Sequence, residues 1–81
     1  MTTKETAAVL YVEFAEHVPH GSMTSIVTGI AAYGNVLNGS SDRSFIVEVF
    51  RASNLPRLKD RLKEWERSGS MRWSEDAQKS N

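Results

Sequence analysis

The chain of 81 residues contains no cysteine, and its 10 Lys and Arg balance its 10 Asp and Glu. The first absence excludes disulfide staples, thiolate metal sites and thiol catalysis, and says nothing of the redox compartment. The second argues against nucleic acid or an anionic membrane surface as the main partner, because such binding rests on a basic excess. Prolines number 2, and no apolar run approaches the roughly 20 residues of a membrane span. Met1-Thr2-Thr3-Lys4-Glu5-Thr6-Ala7-Ala8 has no basic stretch followed by an apolar one, so it does not read as a secretory signal and a cytoplasmic location is expected.

What is present is an ordinary globular composition, 40% hydrophobic and 25% charged, which fits one small domain over residues 1–81, ordered from about 9 to 74 with polar ends. A domain of this size buries only roughly two-thirds of the surface its unfolded chain exposes. Self-association is one way for it to bury more.

Val9-Leu10-Tyr11-Val12-Glu13-Phe14 alternates and is rich in β-branched and aromatic residues, so it predicts a strand. A polar loop, Glu16 to Gly21, follows. Ser22 is the expected N-cap of a helix to about Tyr33, with Met23, Ile26, Val27, Ile30 and Tyr33 on one side. Val36-Leu37 reads as a short strand, Asn38-Gly39-Ser40-Ser41-Asp42 as a hairpin turn, and Ser44 to Arg51 as a second clear strand. Asn54-Leu55-Pro56 opens a second helix whose apolar stripe is Leu55, Leu58, Leu62 and Trp65. Ser68-Gly69 supplies a left-handed stop, and Met71-Arg72-Trp73 a closing strand. The order βαββαβ predicts an α+β, ferredoxin-like sandwich: a four-stranded antiparallel sheet with two helices on one face.

One stretch stands out by what it omits. From Val18 to Ser41, 24 residues pass without an Asp, Glu, Lys or Arg. The side of the first helix opposite its apolar face carries Thr24, Ser25, Thr28, Gly29 and Ala32, small neutral residues that let another backbone approach closely. If alternate residues of the two clear strands face the helices, the other face shows Tyr11, Ile46 and Phe50. These two surfaces are the expected interfaces of a homo-oligomer, most simply a dimer.

Chemistry-bearing residues are few. His17 and His20 form His-x-x-His beside Glu16, but Pro19 intervenes and further ligands are not evident, so no metal or other cofactor is expected. The start of the first helix, His20-Gly21-Ser22, is the best anion-binding position in the chain. No paired carboxylates, no nucleophile beside a base and no phosphate-cradling glycine motif appear, so catalysis is not expected. The charges of the second helix, Arg57 to Arg67, interleave as a solvated face.

Val18-Pro19-His20-Gly21-Ser22-Met23 after a strand, and Tyr33-Gly34-Asn35-Val36-Leu37 after a helix, resemble the loop and second-strand motifs of ACT-like regulatory domains. Pro19, Gly21, Met23 and Asn35-Val36 match that pattern; His20 splits the Pro-Gly pair, and His17 or Val18 stands where the family has an acidic residue. The resemblance covers residues 9–74. It implies a dimerising module that regulates another activity, holding a small molecule near His17, Pro19, His20, Gly21, Ser22 and Asn35. The alternative is a stand-alone protein-interaction module, an inhibitor or adaptor, that uses the same surface without a ligand. The topology is also that of RNA-recognition motifs. Leu10-Tyr11-Val12 fits their short signature, but Arg43 to Phe50 keeps only the basic and the first and last aromatic positions of the long one, with Val47 where a second ring would stack.

Overall fold

The computed structural model describes residues 6–76. Strand β1 is Ala8–Phe14, helix α1 His20–Ala31, β2 Asn35–Asn38, β3 Ser44–Val49, α2 Leu55–Arg67 and β4 Met71–Asp76. One sheet has the order β2-β3-β1-β4 with every neighbouring pair antiparallel. Each helix therefore carries the chain over one intervening strand to a parallel one, which is the ferredoxin-like α+β layout. The polar ends read as frayed fall largely outside the described residues, at 1–5 and 77–81. Within them Ala7 already donates to the Val49 carbonyl at 2.7 Å, and Glu75 and Asp76 extend β4 beyond the expected Trp73.

Alternation sets the two faces. Leu10, Val12 and Phe14 of β1 with Val47 and Val49 of β3 are buried beneath the helices, and Phe14 meets Phe45 edge-to-face at 5.7 Å. Leu58 and Leu62 of α2 and Ile30 and Met23 of α1 complete the core. Each fully buried aliphatic side chain contributes about 1.5–3 kcal/mol, so Leu58 and Leu62 fasten α2 while Leu55 and Trp65 sit half-buried at the ends of its stripe. The indole Nε1 of Trp73 is buried without a hydrogen-bond partner.

Several boundaries depart from the sequence reading. Helix α1 begins three residues early: Pro19 is its N-cap at φ −67°, with no side-chain cap, and its carbonyl accepts from the Met23 amide at 3.0 Å. The ring already holds the dihedral a first turn needs, so Ser22 lies inside the turn. Strand β3 stops at Val49 because the chain bends into a short 3₁₀ turn, Ala52–Asn54, leaving Phe50 and Arg51 outside the sheet. Asn54 precedes α2 as expected, but its amide crosses to the Tyr33 carbonyl at 3.2 Å instead of capping. The turn expected over Asn38-Gly39-Ser40-Ser41-Asp42 does join β2 to β3. Gly39 lacks a positive φ; it is small because a Cβ there would lie 2.8 Å from Ser44.

The end of α2 follows the sequence. Gly69 has φ +82°, its amide donates to the Glu66 carbonyl at 2.9 Å, and the Ser70 amide donates to Trp65 at 3.1 Å. That pair of bonds is the Schellman arrangement, which glycine adopts without steric cost.

Candidate binding surfaces

The loop between β1 and α1 exposes His17, Pro19, His20, Gly21 and Ser22, while Val18 is buried as its anchor. The loop is held from the β2–β3 connection. Arg43 Nη1 donates to the carbonyls of Ala15 and Val18, both at 2.9 Å, and lies 3.7 Å from Met23 Sδ. The Arg43 backbone joins in, its carbonyl accepting from the Phe14 amide at 2.9 Å. His20 Nε2 stands 3.7 Å from Asp42 Oδ2, but with side chains 70% and 79% exposed the contact is screened by water. Among the described residues, no three His, Cys, Asp or Glu side chains gather where they could hold a metal ion.

Asn35 does not join this group. It lies beyond the far end of α1, and a helix of 12 residues rises about 18 Å. Its Nδ2 donates to Glu48 Oε1 at 3.3 Å across the β2–β3 pair. The loop residues and Asn35 thus occupy opposite ends of one protomer.

On the outer side of α1, Thr24, Ser25, Thr28 and Ala32 are exposed. The threonine hydroxyls turn back onto the helix, Thr24 Oγ1 donating to His20 O at 3.0 Å and Thr28 Oγ1 to Thr24 O at 2.8 Å. Gly29 is not part of this surface. It is half-buried against α2, and a Cβ there would lie 3.6 Å from Trp65 Cη2. The glycine is where the two helices meet, so it does not share the outer side of α1 with Thr24, Ser25, Thr28 and Ala32 as the sequence led us to expect.

The face of the sheet away from the helices is organised in three rows by strand register. The middle row is Leu37, Ile46, Tyr11 and Ser74. One flanking row holds Ser44, Glu13 and Arg72; the other holds Asn35, Glu48, Val9 and Asp76. Tyr11 and Leu37, 42% and 41% exposed, are the exposed large hydrophobics among the described residues. They flank Ile46 in one continuous apolar row across β2, β3 and β1. Beside it opens a hollow of about 520 Å³ lined by Tyr11, Ile46, Glu13, Arg72, Ser74 and Ser40 among others. Arg72 Nη2 pairs with Glu13 Oε1 at 2.8 Å on its rim. Phe50, two residues past Glu48 and beyond the end of β3, is half-buried and lines a recess with Tyr33, Asn35 and Asn54 at the edge of this face.

Sequence reasoning found Tyr11 and Ile46 by alternation but missed Leu37, because a strand of 4 residues offers too little pattern to show which side points outward. It also missed Arg43, whose partners lie 25 and 28 residues away. No helix among the described residues is long and apolar enough to cross a membrane. Compared with protein-family models, curated proteins and solved structures, the chain matches none.

Proposed function

We propose that the chain is a small non-catalytic regulatory module of the ACT-like kind, which self-associates through the open face of its sheet and engages a ligand or partner at the loop from His17 to Ser25. The observation that carries this reading is the uncharged row Leu37–Ile46–Tyr11, which places the exposed large apolar side chains side by side. Scattered surface hydrophobics mean little, whereas a contiguous row points to an interface. The loop supports the ligand half of the reading because Arg43 holds it in one shape from beneath while its outer groups stay accessible. The test is sedimentation over a wide concentration range. A mass that rises with concentration, and stays monomeric for Ile46→Lys, is expected; a dilution-independent monomer sinks the self-association. For the loop, thermal shift with amino acids and small anions is expected to stabilise the wild type and not Gly21→Asp. A flat response in both rejects the ligand.

The alternative, a protein partner without a small ligand, has one observation in its favour. Thr24 and Thr28 spend their hydroxyl hydrogens on the helix backbone, so the outer side of α1 offers shape rather than hydrogen-bond donors. A partner that binds ligand-free protein and is lost on Thr28→Arg would select this reading.

A further inference from the structure

We infer that the open face is covered by a second copy of this chain, related by a two-fold axis running across the strands along the row Leu37–Ile46–Tyr11–Ser74. The inference rests on the self-association proposed above and fixes its geometry. In a two-fold interface the same patch serves both copies, and residues on the axis meet themselves. A charged residue there would face its own like charge. The middle row contains no charged residue, and the four charged side chains of the face, Glu13, Arg72, Glu48 and Asp76, all lie off it.

The flanking rows then choose the direction of the axis. An axis along the strands would stack each flanking row on its own copy in reversed strand order, laying Glu48 over Val9 and Asp76 over Asn35. Arg72 would then face no carboxylate of the second chain, and four carboxylates would share one stripe of the gap without a cation. An axis across the strands instead lays the Arg72 row over the acidic row of the other copy. Arg72 and Asp76 occupy one strand, β4, two rows apart. The rotation therefore places each Arg72 over the partner's Asp76, twice per dimer. Arg72 can make that contact while keeping Glu13, because its side chain is 81% exposed and only Nη2 is engaged by the carboxylate. Sheets stacked face to face lie about 10 Å apart, a gap that an arginine and an aspartate span together.

The size of the face sets the strength. Four strands at about 4.8 Å spacing and some six residues at about 3.3 Å give a patch of roughly 400 Å² in projection. Two such patches fall at the small end of specific interfaces, so the dimer is reversible and concentration-dependent.

The experiment is sedimentation equilibrium of wild type, Arg72→Asp, Asp76→Arg and the double variant in low salt, with circular dichroism to confirm folding. Each single change turns two attractions into two repulsions and is expected to weaken dimerisation about 10-fold or more. The double variant, which exchanges the charges, is expected to recover to within about 3-fold of wild type. A geometric arm needs no charge change. Because the chain has no native cysteine, Ser74→Cys on the axis is expected to cross-link to a dimer with a short bismaleimide, and Asn35→Cys off the axis is not. If the wild type never dimerises, self-association itself fails and the inference with it. If a dimer forms and Ile46→Lys dissolves it, but the charge exchange has no effect and Asn35→Cys links as readily as Ser74→Cys, self-association stands and the axis across the strands is overturned.

Discussion

Replacing Arg43 by methionine keeps an unbranched, partly buried stem and removes only the guanidinium. Two carbonyls, Ala15 and Val18, then lose a donor at 2.9 Å. A hydrogen bond to a charged donor contributes about 1.5–3 kcal/mol. The exposed rim of the loop gives water access to those carbonyls, so the lower part of that range applies and the sum is about 2–4 kcal/mol. A chain of 81 residues has on the order of 4–12 kcal/mol of stability in all, which makes this a large fraction of the whole. With a urea slope of about 1 kcal/mol per molar for so small a protein, the unfolding midpoint is expected to fall by about 2–4 M. Amide exchange supplies a local readout. The Val18 and Met23 amides, which donate to Ala15 and Pro19 at 3.1 and 3.0 Å, are expected to exchange faster relative to core amides in β1. Arg43→Lys retains the charge and is expected to recover part of the loss. A midpoint shift below about 0.5 M, with unchanged exchange at Val18 and Met23, would refute the idea that this side chain holds the loop.

Two glycines are expected to respond oppositely. Gly29→Ala places a methyl at ordinary contact distance, 3.6 Å from Trp65 Cη2, and removes a helix-interior glycine, so a gain of about 0.5–1 kcal/mol should appear in urea unfolding. Gly34→Ala would drive a Cβ to 2.6 Å from the Glu48 carbonyl oxygen, and a loss of about 2 kcal/mol or more is expected in the same assay. Trp65→Ala, where the ring is half-buried between Gly29 and the Arg61 guanidinium 5.0 Å away, should cost about 2–4 kcal/mol; a loss under 1 kcal/mol would show that the helices do not depend on it.

Long periodic segments were legible because their side chains obey one rule over many residues. The alternation in β1 and β3 and the leucine spacing of α2 each bury what they mark, and Gly69 stops α2 by a conformation that local chemistry alone selects. The uncharged run from Val18 to Ser41 was equally visible, yet its physical content was not. Thr24 and Thr28 satisfy themselves on the backbone of their own helix, and Gly29 is a meeting point of two helices, a fact that depends on where α2 lies. Pro19 displaced Ser22 as the cap because a fixed dihedral outweighed a side-chain preference. Arg43 and Leu37 escaped for a shared reason. What each does is decided by neighbours distant along the chain, and no local pattern carries that information. Asn35 shows the same gap in reverse, since motif order suggested a companionship with the loop that the length of α1 prevents within one protomer.

The register of β1 against β4, with Val9 opposite Asp76, has a consequence for engineering the molecule. The path through the described fold begins and finishes on neighbouring antiparallel strands, whose facing Cα atoms are about 5 Å apart. A short linker running from Asp76 back to Ala7 would make the backbone a closed loop while keeping Ala8 paired with Val49 and the Ala7 amide on the Val49 carbonyl. It could then be reopened between Gly39 and Asp42, where the connection is exposed. Cyclised or permuted versions of this domain should therefore keep its architecture, and could display either end of α1 to a fused cargo.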